Sequence, residues 1–245
     1  MKAYKADLHI HSCLSPCADL DMSPRAIVEK SLELGLDIIA VCDHNSAENV
    51  RAAMKSGRQH GLTVLPGMEI NSREEAHVLG LFEGPDEAIF MQEIVYANLK
   101  GANSPEVFGD QVVVNENDEV EGFNDKMLIG AIELGLYEIV TEIHRLGGLV
   151  IASHIDRASF SIVSQLGFIP QDLELDALEI SRAFEGKMNE EVFTGSVDLP
   201  RVTFSDAHFI DDIGKAYTSF FLDNPSFGEI RMALRCESGR GVRAA

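Results

Sequence analysis

At 245 residues, with 45% hydrophobic and 24% charged residues, the chain has an ordinary globular composition that excludes disordered, fibrous and collagenous classes. The length suits a single α/β barrel domain. The formal charge of −20 argues against a long nucleic acid partner gripped through the general surface, whereas a small anionic substrate stays compatible because cations in a pocket reverse the local field.

No run approaches the roughly 20 apolar residues that cross a bilayer, and residues 1–11 lack a signal-peptide pattern, so no membrane partner and a cytoplasmic location are expected. Cys13, Cys17, Cys42 and Cys236 follow no disulfide framework and are read as reduced thiols. Cys13 and Cys17 have no second pair nearby, which weighs against a zinc site there.

In chain order, Ala3 to Ile10 reads as a strand. Ser23 is suited to cap a helix with Pro24 in its first turn, an apolar stripe of Ile27, Val28, Leu32 and Leu34, and Gly35 as its stop. Residues 38–42 form a buried strand, Ala47 to His60 a second helix ended by Gly61, and Thr63 to Leu65 a third strand broken by Pro66 and Gly67. Further strands are expected at Val78 to Phe82, Leu149 to Ser153, Ala177 to Ile180, Val202 to Phe204 and Thr218 to Leu222. Helices are expected around Glu87 to Leu99, Asp125 to Leu134, Tyr137 to Leu146 and Ser226 to Leu234. Residues 101–124, rich in Asn, Asp and Glu, read as a surface insertion or lid, and 236–245 as a flexible tail after a domain spanning 1–235. Alternation of β-branched runs with amphipathic stretches predicts a mostly parallel sheet or barrel.

The histidines collect at strand ends. His9 and His11 close the first strand, His44 follows the second, His154 follows Ser153 and His208 lies beyond Phe204. Glu69 follows the third strand, and Asp206 precedes His208 by two. In a parallel sheet or barrel the C-terminal strand ends share one face, so these distant residues are expected to meet. Period-two spacing in 9–11 and 206–208 aims each pair the same way where the backbone is extended. His77 starts its strand; an antiparallel hairpin through 71–75 would bring it beside Glu69. Imidazole with carboxylate favours Zn, Mn or Fe over Mg or Ca, and the number of ligands exceeds what one ion uses, which predicts two or three ions. His60 and His144 lie near helix C-termini and are read as favouring the helix dipole. No nucleophile elbow, dinucleotide loop or phosphate-binding loop appears.

Residues 7–12 (Asp-Leu-His-Ile-His-Ser), 42–45 (Cys-Asp-His-Asn), 67–70 (Gly-Met-Glu-Ile) and 205–208 (Ser-Asp-Ala-His), with His77 and His154 between them, resemble the motifs of the PHP (polymerase and histidinol phosphatase) family. The resemblance implies a distorted (β/α)7 barrel, a trinuclear metal centre and phosphoester hydrolysis. Carried over by position, it implies His9, His11, Glu69 and Asp206 around a first ion, and Glu69, His77 and His154 around a second. His44, His208 and a loop residue would hold the third, with Asp19 preferred to Asp21; the family's Ser-Asp-Gly is missing there. Asp7 and Asp43 are expected to orient ligand histidines. Asp206 or His208 is the candidate for moving protons, and Arg157 and Arg182 are candidate phosphate clamps. The expected function is hydrolysis of a small phosphorylated substrate or nucleotide. The alternatives are trimming of short oligonucleotides and a non-catalytic metal-binding module.

Overall fold

The computed structural model describes residues 1–183 and 199–243. Among them one nine-stranded sheet dominates, built from β1 (Lys2–Ile10), β2 (Ile38–Val41), β3 (Thr63–Asn71), β4 (His77–Leu81), β7 (Leu149–Ala152), β8 (Ala177–Glu179), β9 (Arg201–Val202), β10 (Thr218–Leu222) and β11 (Gly241–Arg243). A separate hairpin joins β5 (Val112–Val114) to β6 (Val120–Phe123). The large sheet is ordered β11-β10-β1-β2-β3-β4-β7-β8-β9. β1, β2 and β3 run parallel, as do β7, β8 and β9, whereas β4 is antiparallel to both its neighbours. The sheet curls until the segment after β9 meets β1: His11 N donates to Ala207 O (2.9 Å) and Ser205 N to the Asp7 carboxylate (3.0 Å). The result is the expected distorted barrel, nearly closed.

Sequence periodicity assigns the two faces. Ala6, Leu8, Ala40, Leu65, Leu79, Ile151, Ala177 and Phe204 belong to one buried cluster drawn from successive strands, the barrel interior. Their strand neighbours Ile39, Val41 and Val64 pack outward with Ile27 and Val28 of helix α1 (Pro24–Glu33), and Met68, Val78 and Val150 pack with Ile139 and Ile143 of helix α5 (Leu136–Arg145). The Ser23 hydroxyl caps α1 by accepting from Ala26 N, as its sequence predicts. Leu32 and Leu34, expected on the buried stripe, are exposed, because α1 needs only the Ile27–Val28 side to cover the sheet. Helix α2 (Val50–His60) starts three residues later than expected and ends on Gly61 at φ +80°, a left-handed position suited to glycine.

β3 does not stop at Leu65. It runs through Pro66 and Gly67 because the proline carbonyl still accepts Phe82 N (2.9 Å), and Glu69 therefore lies inside the strand rather than beyond it. The hairpin to β4 forms with Asn71 opposite His77 and Glu69 opposite Leu79. Helices α3 (Pro85–Asn98), α4 (Pro105–Phe108), α6 (Ile162–Leu166) and α7 (Phe227–Leu234) complete the set described.

Two further expectations are corrected. Residues 125–134 are not helical: the Asn45 amide donates to Leu128 O and Gly130 O (both 2.7 Å), Ile132 N donates to Asn71 O (2.9 Å), and Gly130 weakens the helical alternative. The 236–245 segment is not loose throughout, since 241–243 pair with β10 and the Arg240 guanidinium reaches both Glu229 oxygens (2.8 Å each); residues 244 and 245 lie outside the described residues. Within 101–124, Val112 and Val114 pack on Cys13, so this insertion is attached to the loop after β1.

Asn45 is buried, sits at φ +51°, and also accepts from Asn71 N (3.1 Å). Asn45→Ala is expected to lower stability by about 3 kcal/mol, because it strands buried backbone groups. Chemical denaturation measures this; a loss under about 1 kcal/mol would show that 125–134 does not depend on Asn45.

Candidate metal centre

The barrel interior is apolar up to its C-terminal rim and then becomes imidazole and carboxylate. On β3, β4 and β8 the inward residues continue from Leu65 to Glu69, from Leu79 to His77 and from Ala177 to Glu179. β1 needs a device: Ala6 and Leu8 face inward but Ile10 faces α1, and a register slip against β2 between Asp7 and Ile10 accounts for the change. That bulge turns His9 and His11 into the barrel. Asp206 stands at φ +49° and His154 at φ +28°, so these two reach the cluster through left-handed turns, not through extended backbone. Asn45 and Phe160 (φ +57°) flank the same site; strain of this kind concentrates at functional sites.

Glu69 is the hub. Its Oε1 lies 3.1 Å from His77 Nδ1, 3.2 Å from His154 Nε2 and 3.4 Å from His9 Nε2, and its Oε2 lies 3.2 Å from His44 Nδ1 and 3.5 Å from His11 Nε2. Asp206 Oδ1 lies 3.1 Å from His11 Nε2 and 3.3 Å from His9 Nε2. His208 stacks on His11 (centroids 4.2 Å), with Nδ1 2.9 Å from the Asp206 carbonyl. Three sets of donor atoms converge closely enough to share an ion: His9, His11 and Asp206; His44, Glu69 and His77; His11, His44 and His208. Beside the groupings implied by the family motifs, the first set lacks Glu69, the second has His44 in place of the expected His154, and the third keeps His44 with His208 but adds His11 in place of a loop acid.

The electrostatics suit cations. Burial, reinforced by the neighbouring His208, pushes His11 down to about 4, and burial beside His11 holds His44 well below 6.5, so both stay neutral. The Ser15 hydroxyl donates to Asp43 (2.7 Å) and so accepts from His11 Nδ1 (3.0 Å), which leaves the His11 Nε2 lone pair facing Asp206 and Glu69 oxygens. Acceptors opposed at such distances call for a positive charge between them. Burial would raise Glu69 and Asp206, but His77 and His9 for the former and His9 for the latter hold both carboxyls well below their ordinary values. Burial opposes a charge on His9, yet Glu179, Asp206 and Glu69 outweigh it and lift the imidazole well above 6.5. His154 Nδ1 is buried without a hydrogen bond among the described residues, and His77 Nδ1 is opposed only by the Glu69 carboxylate. This donor set fits transition-metal ions.

Around this core the expectations divide. Asp19 is exposed, its carboxylate accepts Asp21 N (2.9 Å), and neither residue joins the converging donor sets. Cys17, rather than either aspartate, lines the cleft. Asp43 accepts from Ser12 N (2.7 Å) and the Ser12 hydroxyl (2.6 Å) and reaches His11 only through Ser15, while Asp7 accepts from the backbone of Ser205 and Gly214 (3.0 Å each). Neither contacts an imidazole directly. Glu179, which no sequence motif singles out, does so: both oxygens meet His9 Nδ1 (3.0 and 3.1 Å), and Oε2 accepts His154 N (3.1 Å). The one signal for it in the sequence is an acid at the inward position of a short apolar strand. Arg157 lines the cleft with Nη2 2.6 Å from Asp206 Oδ2, whereas Arg182 is engaged by Asp212 (3.0 Å). His60 bonds the Ser56 carbonyl (2.9 Å) and His144 bonds Asp176 (3.0 Å), both away from the centre.

The cleft has a volume of about 200 Å³, and Cys17, Ile129, Arg157, Ser159 and Phe160 line it together with the imidazoles and carboxylates. A larger groove of about 780 Å³ lies between α1 and the β5–β6 hairpin and contains none of these histidines. No helix among the described residues is long and apolar enough to cross a membrane.

The sequence profile of the PHP domain matches residues 7–185, and that of a PHP-associated region matches 191–238. Over 80 residues the chain is 31% identical to a 5'-3' exoribonuclease of Haemophilus influenzae, a stretch covering 31% of this chain and 28% of that protein. The lesion-specific endonuclease Q of Pyrococcus furiosus has the same fold, with a TM-score of 0.72 at 20% identity over 98% of this chain and 57% of that one. A protein of Bifidobacterium adolescentis described as a metal-dependent phosphoesterase matches with a TM-score of 0.58 at 20% identity, over 83% of this chain and 87% of that one. The chain thus spans little more than half of the endonuclease and under a third of the exoribonuclease.

These findings correct the exclusion of long nucleic acid. Endonuclease Q has been solved with a 27-mer duplex carrying an abasic lesion at its active site, on a fold that this chain shares over 98% of its length with a TM-score of 0.72. Net charge sums the whole surface while binding is local, so the value of −20 does not carry that exclusion.

Proposed function

Since the chain belongs to the PHP domain family, we propose that it is a hydrolase of phosphoester bonds that uses two or three divalent transition-metal ions, zinc, manganese or iron, held at the rim of its barrel. The observation that carries this reading is the convergence of five imidazoles on the two oxygens of Glu69, with Asp206 closing the other side. His9, His11, His44, Glu69, His77, His154, Asp206 and His208 would hold the ions, which leaves Asp19 outside the set. Bound there, the ions would supply Lewis acidity that activates water and neutralises phosphoryl oxygens.

The chain's own groups do the rest. Ser15 and Glu179 fix the ring orientations of His11 and His9. Arg157, held by Asp206, presents its remaining N–H groups to a phosphate in the cleft. His208, with Nδ1 engaged by the Asp206 carbonyl, keeps its Nε2 lone pair for an ion. The barrel, with β11 included in its sheet, would form the catalytic unit, with the β5–β6 hairpin covering the loop that carries Cys13. The substrate is a small phosphorylated molecule or a nucleotide. A nuclease acting on strand ends or within strands is the second reading, favoured by the likeness to an exoribonuclease and to endonuclease Q.

The test is metal content of protein purified without chelator, followed by phosphomonoesters, nucleotides, short oligonucleotides and duplex DNA as substrates. Turnover rising with strand length selects the nuclease. A metal-loaded chain that turns over none of them would leave only a non-catalytic metal-binding module.

Proton competition gives a further prediction. Metal-free His9 carries a proton because its carboxylate neighbours lift its pKa, and a ligand imidazole must be neutral, so binding releases that proton. His11, already neutral above about 4, contributes nothing near neutrality. Metal affinity is therefore expected to fall about tenfold per pH unit from about pH 7 to about pH 5, and activity at limiting metal to fall below about pH 6. Calorimetric titration at several pH values checks it; affinity independent of pH would refute the assignment of His9 as a ligand.

A further inference from the structure

Phe160, on the loop after β7, combines three features that no packing role requires together. It is 43% exposed although it lines the same cleft as Arg157, Asp206 and His208. Its backbone stands at φ +57°, a conformation that bulky L-residues adopt only when the surroundings enforce it. Its ring lies over the His77 imidazole with centroids 4.9 Å apart and planes 22° from parallel, while its carbonyl accepts His77 N (2.9 Å). One face of the ring is thus covered and fixed in place, and the exposed surface is the opposite face and the edge.

The chemistry beside it narrows what that face can receive. Arg157, three residues earlier, offers a guanidinium suited to an anionic phosphate, and the cleft of about 200 Å³ is too small to enclose a phosphoryl group, a sugar and a planar base together. The remainder of a substrate must therefore cross the rim, where Phe160 stands. An aryl group attached directly to the phosphate would lie inside the cleft, whereas a planar ring separated from it by a sugar reaches the rim. We propose that Phe160 is a stacking platform for a nucleobase, so that the substrate class is a nucleoside-bearing phosphoester, a nucleotide or the end of a nucleic-acid strand. The inference rests on the phosphoesterase reading and sharpens it.

Stacking on an aromatic side chain tolerates every base and is lost on truncation to alanine. The experiment compares the dissociation constants of adenosine 5'-monophosphate and ribose 5-phosphate, by calorimetry on the manganese-loaded chain. The wild type is expected to prefer the base-bearing ligand about tenfold or more; Phe160→Ala lowers that ratio about tenfold, and Phe160→Tyr keeps it. If Phe160 only supports His77, Phe160→Ala weakens both ligands together, metal content falls and the ratio stays, which overturns the proposal. So does a wild type with no preference. The parent reading fails separately, if the wild type hydrolyses no phosphoester while the binding ratio still responds to Phe160.

Discussion

Glu69→Gln is expected to remove two ions per chain and to lower kcat/KM by about a thousandfold, on the order of 4 kcal/mol of transition-state stabilisation. Both oxygens of this carboxylate are engaged, Oε1 with His9, His77 and His154 and Oε2 with His11 and His44, so the side chain lies between the ligand groups rather than at the edge of one. Glutamine keeps the shape but replaces one oxygen with an N–H donor and removes the charge that draws cations into a ring of imidazoles. Elemental analysis and steady-state kinetics on the same preparation provide the measurement. A variant with metal content equal to wild type would show that Glu69 bridges nothing, whatever its activity.

The second large effect is expected at Glu179. This buried carboxylate holds the His9 ring by Nδ1 and the backbone of His154 by its N–H, and thus orients from β8 two of the residues proposed to hold the ions. Carboxylates placed in this way raise the basicity of the ligand imidazole, and their removal weakens metal binding about 10-fold to 100-fold. Glu179→Gln is expected to show a loss in that range by competition against a chelator. Its pH dependence separates orientation from simple damage. The Glu179 charge raises the His9 pKa, so without it His9 carries less proton near neutrality and the affinity should vary less with pH than in the wild type. A variant as steep in pH as the wild type would show that Glu179 supports the fold and not the imidazole.

Phe160 and Glu179 also mark what is hard to read in the sequence. A histidine where a β-branched run ends has few apolar explanations, so His9, His11, His44, His154 and His208 stand out by their positions in the chain. Glu179 sits in a short apolar run, where an acid reads as a strand boundary; only the inward facing of Ala177 two positions before shows that it points into the barrel. Phe160 lies in an irregular loop, and nothing local fixes its φ or its stacking on His77. Asp19 shows the complementary case: its place in the loop after the first motif makes it the preferred loop acid, but the turn that follows engages its carboxylate with Asp21 N.

By itself the sequence determined the strand and helix alternation, the cap at Ser23, the stop at Gly61, the β3–β4 hairpin and the set of histidines that share one rim. Those follow from local signals: periodicity sets which face is buried, and capping and turn residues act within a few positions. Only the tertiary structure decided that β3 continues past Pro66, that 125–134 is an irregular, turn-rich segment held by Asn45 rather than a helix, that a bulge turns His9 inward and that Glu179 holds it. In each of these the outcome depends on a hydrogen bond or a register between segments far apart in the chain, and no local preference encodes it.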